Sequence, residues 1–468
     1  MQVMPSMTRR TTIAAAAALP ATLVAPALHA SPPAASPGDR PLFGASAWTL
    51  PNGLRVVLAE SRRVPVVAHY LFYAAGAGED APGKSGTAHF LEHMMFKGSS
   101  KVAPGAFSLV VAREGGQDNA FTSRDVTAYH QTVEASRLPL VMGMEADRFA
   151  GPLLPPETIE PERSVILEER RQRTDSNPRA RFYEAFEAAL FGPESWRGRP
   201  IIGWESDIRA IERDDLQTFY SRRYAPGNAV LVVAGDVTEA RLRALVEEHY
   251  GSIPARPVTP RDRAAPAAAP TEARLIRHDP NVREASFLRS AMAPTLTWGS
   301  PQAAWALEAV AHLLGGGQGS RMHRALVETG LATSAGAGFD SEAVGVGAFM
   351  LSATPRPDVA PERLEVAIDA LIDRLVQEGP SEAELARSIR QMTAGALLAL
   401  DGLGAAPRLL GSALACGLSL ETVEYWPAHL RAVTLAQATA ALRGVFAGAP
   451  TTTGWLLPEG VPAPRGRA

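Results

Sequence analysis

His89-Phe90-Leu91-Glu92-His93 is the stretch on which the reading of this chain turns. In a helix, His89 and His93 stand one turn apart on one face. Two neutral imidazoles at that spacing bind one zinc ion from the same side. Glu92, three residues after His89, looks toward the same face. The set is a metal site with its own base, the arrangement a zinc hydrolase needs. H-x-x-E-H is also the inverted form of a zinc-protease motif.

Zinc requires a third protein ligand and leaves a fourth position for water. The candidate is a carboxylate on a helix expected over residues 156–173, in Glu162-Arg163-Ser164-Val165-Ile166-Leu167-Glu168-Glu169. Glu162 and Glu169 lie two helical turns apart and share a face. Helix geometry does not by itself choose between Glu168 and Glu169.

A chain of 468 residues exceeds what one compact core serves, so two or more domains are expected. The net charge of −3 argues against a nucleic-acid partner. With 46% hydrophobic and 20% charged residues the composition is globular. Cys416 is the single cysteine, which excludes an intrachain disulfide and a cysteine zinc site. Arg9 and Arg10 precede an apolar, alanine-rich run, and cleavage fits after Ala27 or Ala30. Residues 1–30 therefore read as a signal peptide, and a periplasmic or secreted location is expected. Thr8-Arg9-Arg10 resembles a twin-arginine signal, with Thr12 where a large apolar residue is usual. Either Met1 or Met7 fits as the start. The run is too short to span a membrane, and no later segment has spanning length. Residues 31–42 read as a Pro/Ala-rich leader.

The first folded half is expected over residues 43–252. Leu50-Pro51-Asn52-Gly53-Leu54 marks a hairpin turn into a strand at 54–59, and a second strand follows at 66–73. A Gly-rich stretch leads to the short histidine-bearing helix. Helices are expected at 104–114, 138–149, 156–173, 178–190 and 238–250, with strands at 119–123, 126–133 and 228–234. Residues 253–272, rich in proline, alanine and charge, read as a linker. The second half, 273–468, repeats the order in part: strands at 273–277, 285–292, 335–339, 345–352 and 451–456, and helices at 303–314, 361–378 and 381–398. Two halves of about 200 residues in one order indicate duplication. The class is α+β, and the zinc motif stands only in the first half.

Several separated strings resemble the pitrilysin–insulinase family of zinc metallopeptidases, its processing-peptidase-like branch in particular. They are the histidine motif, Asn119-Ala120-Phe121-Thr122-Ser123, the Glu162…Glu169 pair, Leu50–Leu54, Ile202-Gly203-Trp204 and Tyr224-Ala225-Pro226-Gly227-Asn228. The resemblance runs from about residue 50 to 457. It implies one zinc ion per chain, with Glu169 as third ligand and Glu162 as its helper, and Glu92 as the base. It implies that Asn119, Ala120 and Phe121 lie on an edge strand that pairs with extended peptide substrates through main-chain hydrogen bonds. It also implies two α+β halves forming half of a clamshell chamber.

One string departs from the family. Active members often carry an arginine and a tyrosine in the second half that hold the substrate. Here Thr333 stands at the tyrosine position and Leu326 seven residues before it; Arg321 and Arg324 are near but out of place. The expectation is an exported zinc metalloendopeptidase that works as the metal-bearing subunit of a heterodimer, its partner a homologue lacking the zinc motif. A homodimer is the runner-up. The alternatives are a noncatalytic peptide-binding or scaffold subunit and a zinc amidase acting on a non-protein substrate. Gly315-Gly316-Gly317-Gln318-Gly319 lacks the Lys-Ser/Thr of a phosphate loop and reads as a break between helices. His312 and Cys416 read as structural, as do Glu145, Asp147 and Arg148. His130 fits either substrate contact or core packing.

Overall fold

The computed structural model describes residues 40–263, 273–399 and 402–465. The expected signal peptide, residues 31–39 of the leader and residues 264–272 of the linker lie outside the described residues. Strands β1 (Ser46–Thr49), β2 (Arg55–Glu60), β3 (Val66–Tyr73), β4 (Gln117–Thr122), β5 (Thr127–Glu134) and β6 (Ala229–Gly235) form a sheet in the order β1-β2-β6-β3-β5-β4. β6 is buried along its whole length. Its near-continuous apolar sequence is what a central strand covered on both faces requires. β4 pairs with β5 alone and forms one edge of the sheet.

Strands β7 (Ala273–Asp279), β8 (Ser286–Ala293), β9 (Ala332–Phe339), β10 (Gly347–Pro355) and β11 (Thr451–Pro458) form a second sheet in the order β7-β11-β8-β10-β9. With β1 set aside, this is the first topology repeated strand for strand. In both sheets the first and last strands run parallel, β2 with β6 and β7 with β11. The remaining pairs are antiparallel.

Helices α1 (Thr87–Met94), α2 (Ala106–Arg113), α3 (Leu138–Ala150), α4 (Pro156–Arg170) and α5 (Pro178–Phe191) follow in the first half. Phe90, Leu91 and Met94 of α1, Met142 and Phe149 of α3, and Ile166 of α4 bury against Leu71, Tyr129 and Leu231 on one face of the sheet. Each such side chain, fully buried, stabilises the fold by about 1.5–3 kcal/mol. The opposite face, with Phe72, Ala128 and Val232, is covered by Leu410, Ala413 and Leu414 from the helix Ala405–Ala415 of the second half. A Cβ at Gly411 would stand 2.1 Å from the Phe72 ring, so only glycine lets this helix approach so closely.

Two segments near the first sheet are notable against the sequence reading. The helix expected to reach residue 173 is α-helical only to Arg170, and a wider π turn follows over Arg171–Asp175. Ser176 closes it, its N–H donating to Arg171 O, and Asn177 and Pro178 then start α5. The segment read as a linker is strapped down where it is described. Arg256 donates to Tyr224 O, Arg261 bridges Ala74 O and Ala415 O, and Arg263 pairs with Glu79 and Asp125. Its proline and alanine content marked a break between sheets, but its arginines fasten it to the first half and, at Ala415, to the second.

Candidate metal centre

Helix α1 is set by the backbone before it. Gly86 caps it at φ +93°, where a Cβ would lie 2.5 Å from Ile202 O. The Asp80 carboxylate accepts from the N–H groups of Gly86 (2.7 Å) and Ala88 (2.9 Å), satisfying donors at the helix N-terminus. Burial pushes the Asp80 carboxyl up to about 8 against those hydrogen bonds. With Phe90 and Leu91 locked in the core, His89 and His93 turn toward α4.

Helix α4 supplies both glutamates. His93 Nε2 lies 3.4 Å and His89 Nε2 3.6 Å from Glu169 Oε2. The ligand atoms of His89, His93 and Glu169 all fall within 4.8 Å of one another. His93 Nδ1 donates to Glu162 Oε1 at 2.8 Å, which presents its Nε2 lone pair to the other two when the ring is neutral. Burial and the neighbouring His93 ring push His89 down to about 4. Burial lowers His93 too, but its hydrogen bonds to Glu162 and Glu169 win and hold it at about 9. Glu169 is held below the ordinary carboxylate range, first by its hydrogen bond with His93. Glu168, the neighbour left open by the sequence, points to solvent and pairs with Arg171 and Gln172.

Glu92 does not join the trio. Burial raises its carboxyl above the usual range, while a hydrogen bond from Thr122 Oγ1 at 2.5 Å opposes the shift. Asn119, Ala120 and Phe121 lie on edge strand β4, with Asn119 exposed and its carboxamide bonded to the N–H of Ala120. Alternation along the strand divides the other two. Ala120 packs on the metal side of the sheet, whereas the Phe121 ring lies against Phe72 on the far side, under Arg408. His130 shares that far side, stacked on Tyr70 at 4.5 Å. It is packed there, away from the metal side.

Three neighbours of the centre escaped the sequence reading. Lys97 pairs with Glu162, Arg173 with Glu169, and Thr122 with Glu92. Lys97 stands one turn beyond His93, a spacing that could have drawn attention to it. In the second half, Leu326 is fully buried and Thr333 is exposed on β9. Arg321 and Arg324 both pair with Glu384. Among the described residues, no helix is long and apolar enough to cross a membrane.

Fold and centre together define an α+β protein of duplicated halves with a His-His-Glu cluster and an adjacent carboxylate. Comparison with known proteins places it more narrowly. Residues 55–198 match the family described as Insulinase (Peptidase family M16), and residues 210–392 match the Peptidase M16 inactive domain. An uncharacterized zinc protease of Mycobacterium tuberculosis is 32% identical over 357 residues, covering 75% of this chain and 80% of its own length. Zinc protease PqqE of Helicobacter pylori is 30% identical over 349 residues, 72% of this chain and 76% of its own. Among solved structures, a protease from Helicobacter pylori superposes with a TM-score of 0.79 at 26% identity, covering 88% of this chain and 99% of that one. Pitrilysin matches in fold with a TM-score of 0.77 at 17% identity, covering 92% of this chain and 46% of that one. The chain belongs to the insulinase, or M16, family of peptidases, and its fold is that of one half of pitrilysin.

Proposed function

We propose that this chain is an exported zinc metalloendopeptidase, periplasmic or secreted, that hydrolyses extended peptides or unfolded segments. The observation that carries the reading is the spacing of His89, His93 and Glu169. Tetrahedral zinc with bonds of about 2.1 Å sets its ligands about 3.4 Å apart. Glu169 Oε2 stands 3.4 and 3.6 Å from the two imidazole nitrogens. The donor set also suits zinc: two imidazoles and one carboxylate, with Glu162 orienting His93 from behind. Lys97 balances the charge of Glu162. A zinc ion held there would supply Lewis acidity to a water molecule and to the scissile carbonyl.

Glu92 then takes the proton from the attacking water. As the C–N bond breaks, it returns that proton to the leaving amine. Its burial suits the first task, because a carboxyl raised above its ordinary range is the better proton acceptor. The free edge of β4 suits an extended substrate, which would read main chain rather than side chains. Phe121 contributes backbone only, since its side chain lies on the far side.

The proposed partner is a homologous subunit that lacks the zinc motif and supplies a substrate-holding arginine and tyrosine in trans. Buried Leu326 and the Arg321–Glu384–Arg324 cluster support this, because neither leaves an unpaired guanidinium at the clamp position. A noncatalytic role would make the ligand trio idle. Digestion of a random peptide library, with and without a chelator, tests the reading: chelator-sensitive cleavage is expected, and none even with the partner present would defeat it.

A further inference from the structure

We propose that Thr122 is a positioning residue for Glu92, its hydroxyl fixing the base to the edge strand on which the peptide would lie. This rests on the peptidase reading above. The Thr122 hydroxyl donates to Glu92 Oε2 at 2.5 Å, which pins one oxygen of the carboxylate. Strand alternation brings this about: Phe121 turns to the far face, so its neighbours Ala120 and Thr122 turn toward α1.

Thr122 is itself backed by a row of hydroxyls. Its partner across the β4–β5 ladder is Thr127, whose hydroxyl lies 3.4 Å away. Thr127 neighbours Tyr224, whose OH lies 3.1 Å from Tyr129 OH. Thr127, Tyr129 and Tyr224 are all fully buried, and Tyr224 stacks on Tyr73 at 3.9 Å. The strand end cannot drift, because Ser123 O accepts from Ala77 N–H at 2.9 Å beside Gly76, where a Cβ would lie 2.4 Å from that oxygen. The row runs from the rigid core to the base. Substrate register along β4 and the place of the Glu92 carboxylate are therefore set by one strand.

The test is a pair of variants in zinc-loaded protein, assayed with its partner. Thr122→Val keeps the shape and β-branching but loses the hydroxyl; Thr122→Ser keeps the hydroxyl. Misplacing a reacting group by about 1 Å costs up to about 100-fold, and a freed but still nearby base should cost about 10-fold. Thr122→Val should therefore lower kcat about 10-fold with KM, zinc content and Tm unchanged, and Thr122→Ser should recover most of it. In a Glu92→Gln background Thr122→Val should cost nothing more. An undiminished kcat in Thr122→Val, or an equal loss in Thr122→Ser, overturns the proposal. If the wild type shows no chelator-sensitive cleavage, it is the peptidase reading that falls. The inference is then judged on crystal structures of zinc-loaded wild type and Thr122→Val: a displaced Glu92 carboxylate upholds it, and an unmoved one overturns it.

Discussion

Glu168 and Glu169 are adjacent in sequence and opposite in fate. Glu169 faces the two imidazoles, while Glu168 bonds Arg171 and Gln172 in solvent. Glu169→Gln should lose zinc and Glu168→Gln should keep it, as read by elemental analysis; the reverse pattern would refute the ligand assignment. Glu92 is separate again: it stands outside the trio, and its proposed role is base, not ligand. Glu92→Gln should keep one zinc per chain and its fold yet lose turnover by about 100-fold or more. Single-turnover assays at matched zinc content would detect any activity that survives. At this scale the sequence reached the histidine motif because its logic is local, two rings one helical turn apart. The choice of Glu169 needed the family spacing, since which face of α4 meets α1 depends on tertiary packing. Thr122 carried no signal, because its role follows from strand alternation and a hairpin register.

The elements with long apolar runs were readable. β3 spans the expected 66–73, and β6 and the helix Pro361–Glu378 fall within a residue of expectation. β1 was missed because four residues with alternating burial give no apolar run. The π turn after α4 depends on Ser176, Asn177 and Pro178 acting together, which no periodicity announces. The helix Pro301–Gly315 holds another feature hidden from sequence. Glu308 is half-buried there, with Oε1 accepting from Trp426 Nε1 at 2.9 Å. Burial pushes its carboxyl up to about 7 from the ordinary 4.5. Below pH 4.5 both folded and unfolded chains hold the proton; between 4.5 and about 7 only the folded chain does. The stability this gives is fully present at low pH and is lost as pH rises through 7. Glu308→Gln keeps an acceptor for Trp426 and removes the charge. It should stabilise the protein by on the order of 1–3 kcal/mol at pH 8 and by little at pH 5. Denaturant melts at both pH values would show this, and an equal effect at both would contradict it.

The whole molecule is one topology used twice. The first copy carries the candidate metal cluster on α1 and α4, and among the described residues the second carries none, in keeping with its match to the inactive domain of the family. Order and strand count made the duplication legible in sequence. The covering of the first sheet by a helix from the second half was not, since it hangs on the absence of a side chain at Gly411. In the proposed partnership a homologous half-shell supplies the guanidinium that Arg321 and Arg324, both paired with Glu384, do not offer. Adding the homologous partner should raise kcat/KM without changing zinc content, and changing the partner's arginine or tyrosine should remove the gain. Full activity where sedimentation finds only monomer would contradict the partnership. The proposed role of Glu92 is to drive peptide-bond hydrolysis beside zinc held by His89, His93 and Glu169. Its most direct test is cleavage of a quenched peptide library by wild type and Glu92→Gln at equal zinc content, each with the partner present. Cleavage by the wild type, abolished by chelator, and a rate lower by about 100-fold or more in Glu92→Gln are expected; equal cleavage by both, or by neither, would refute the assignment.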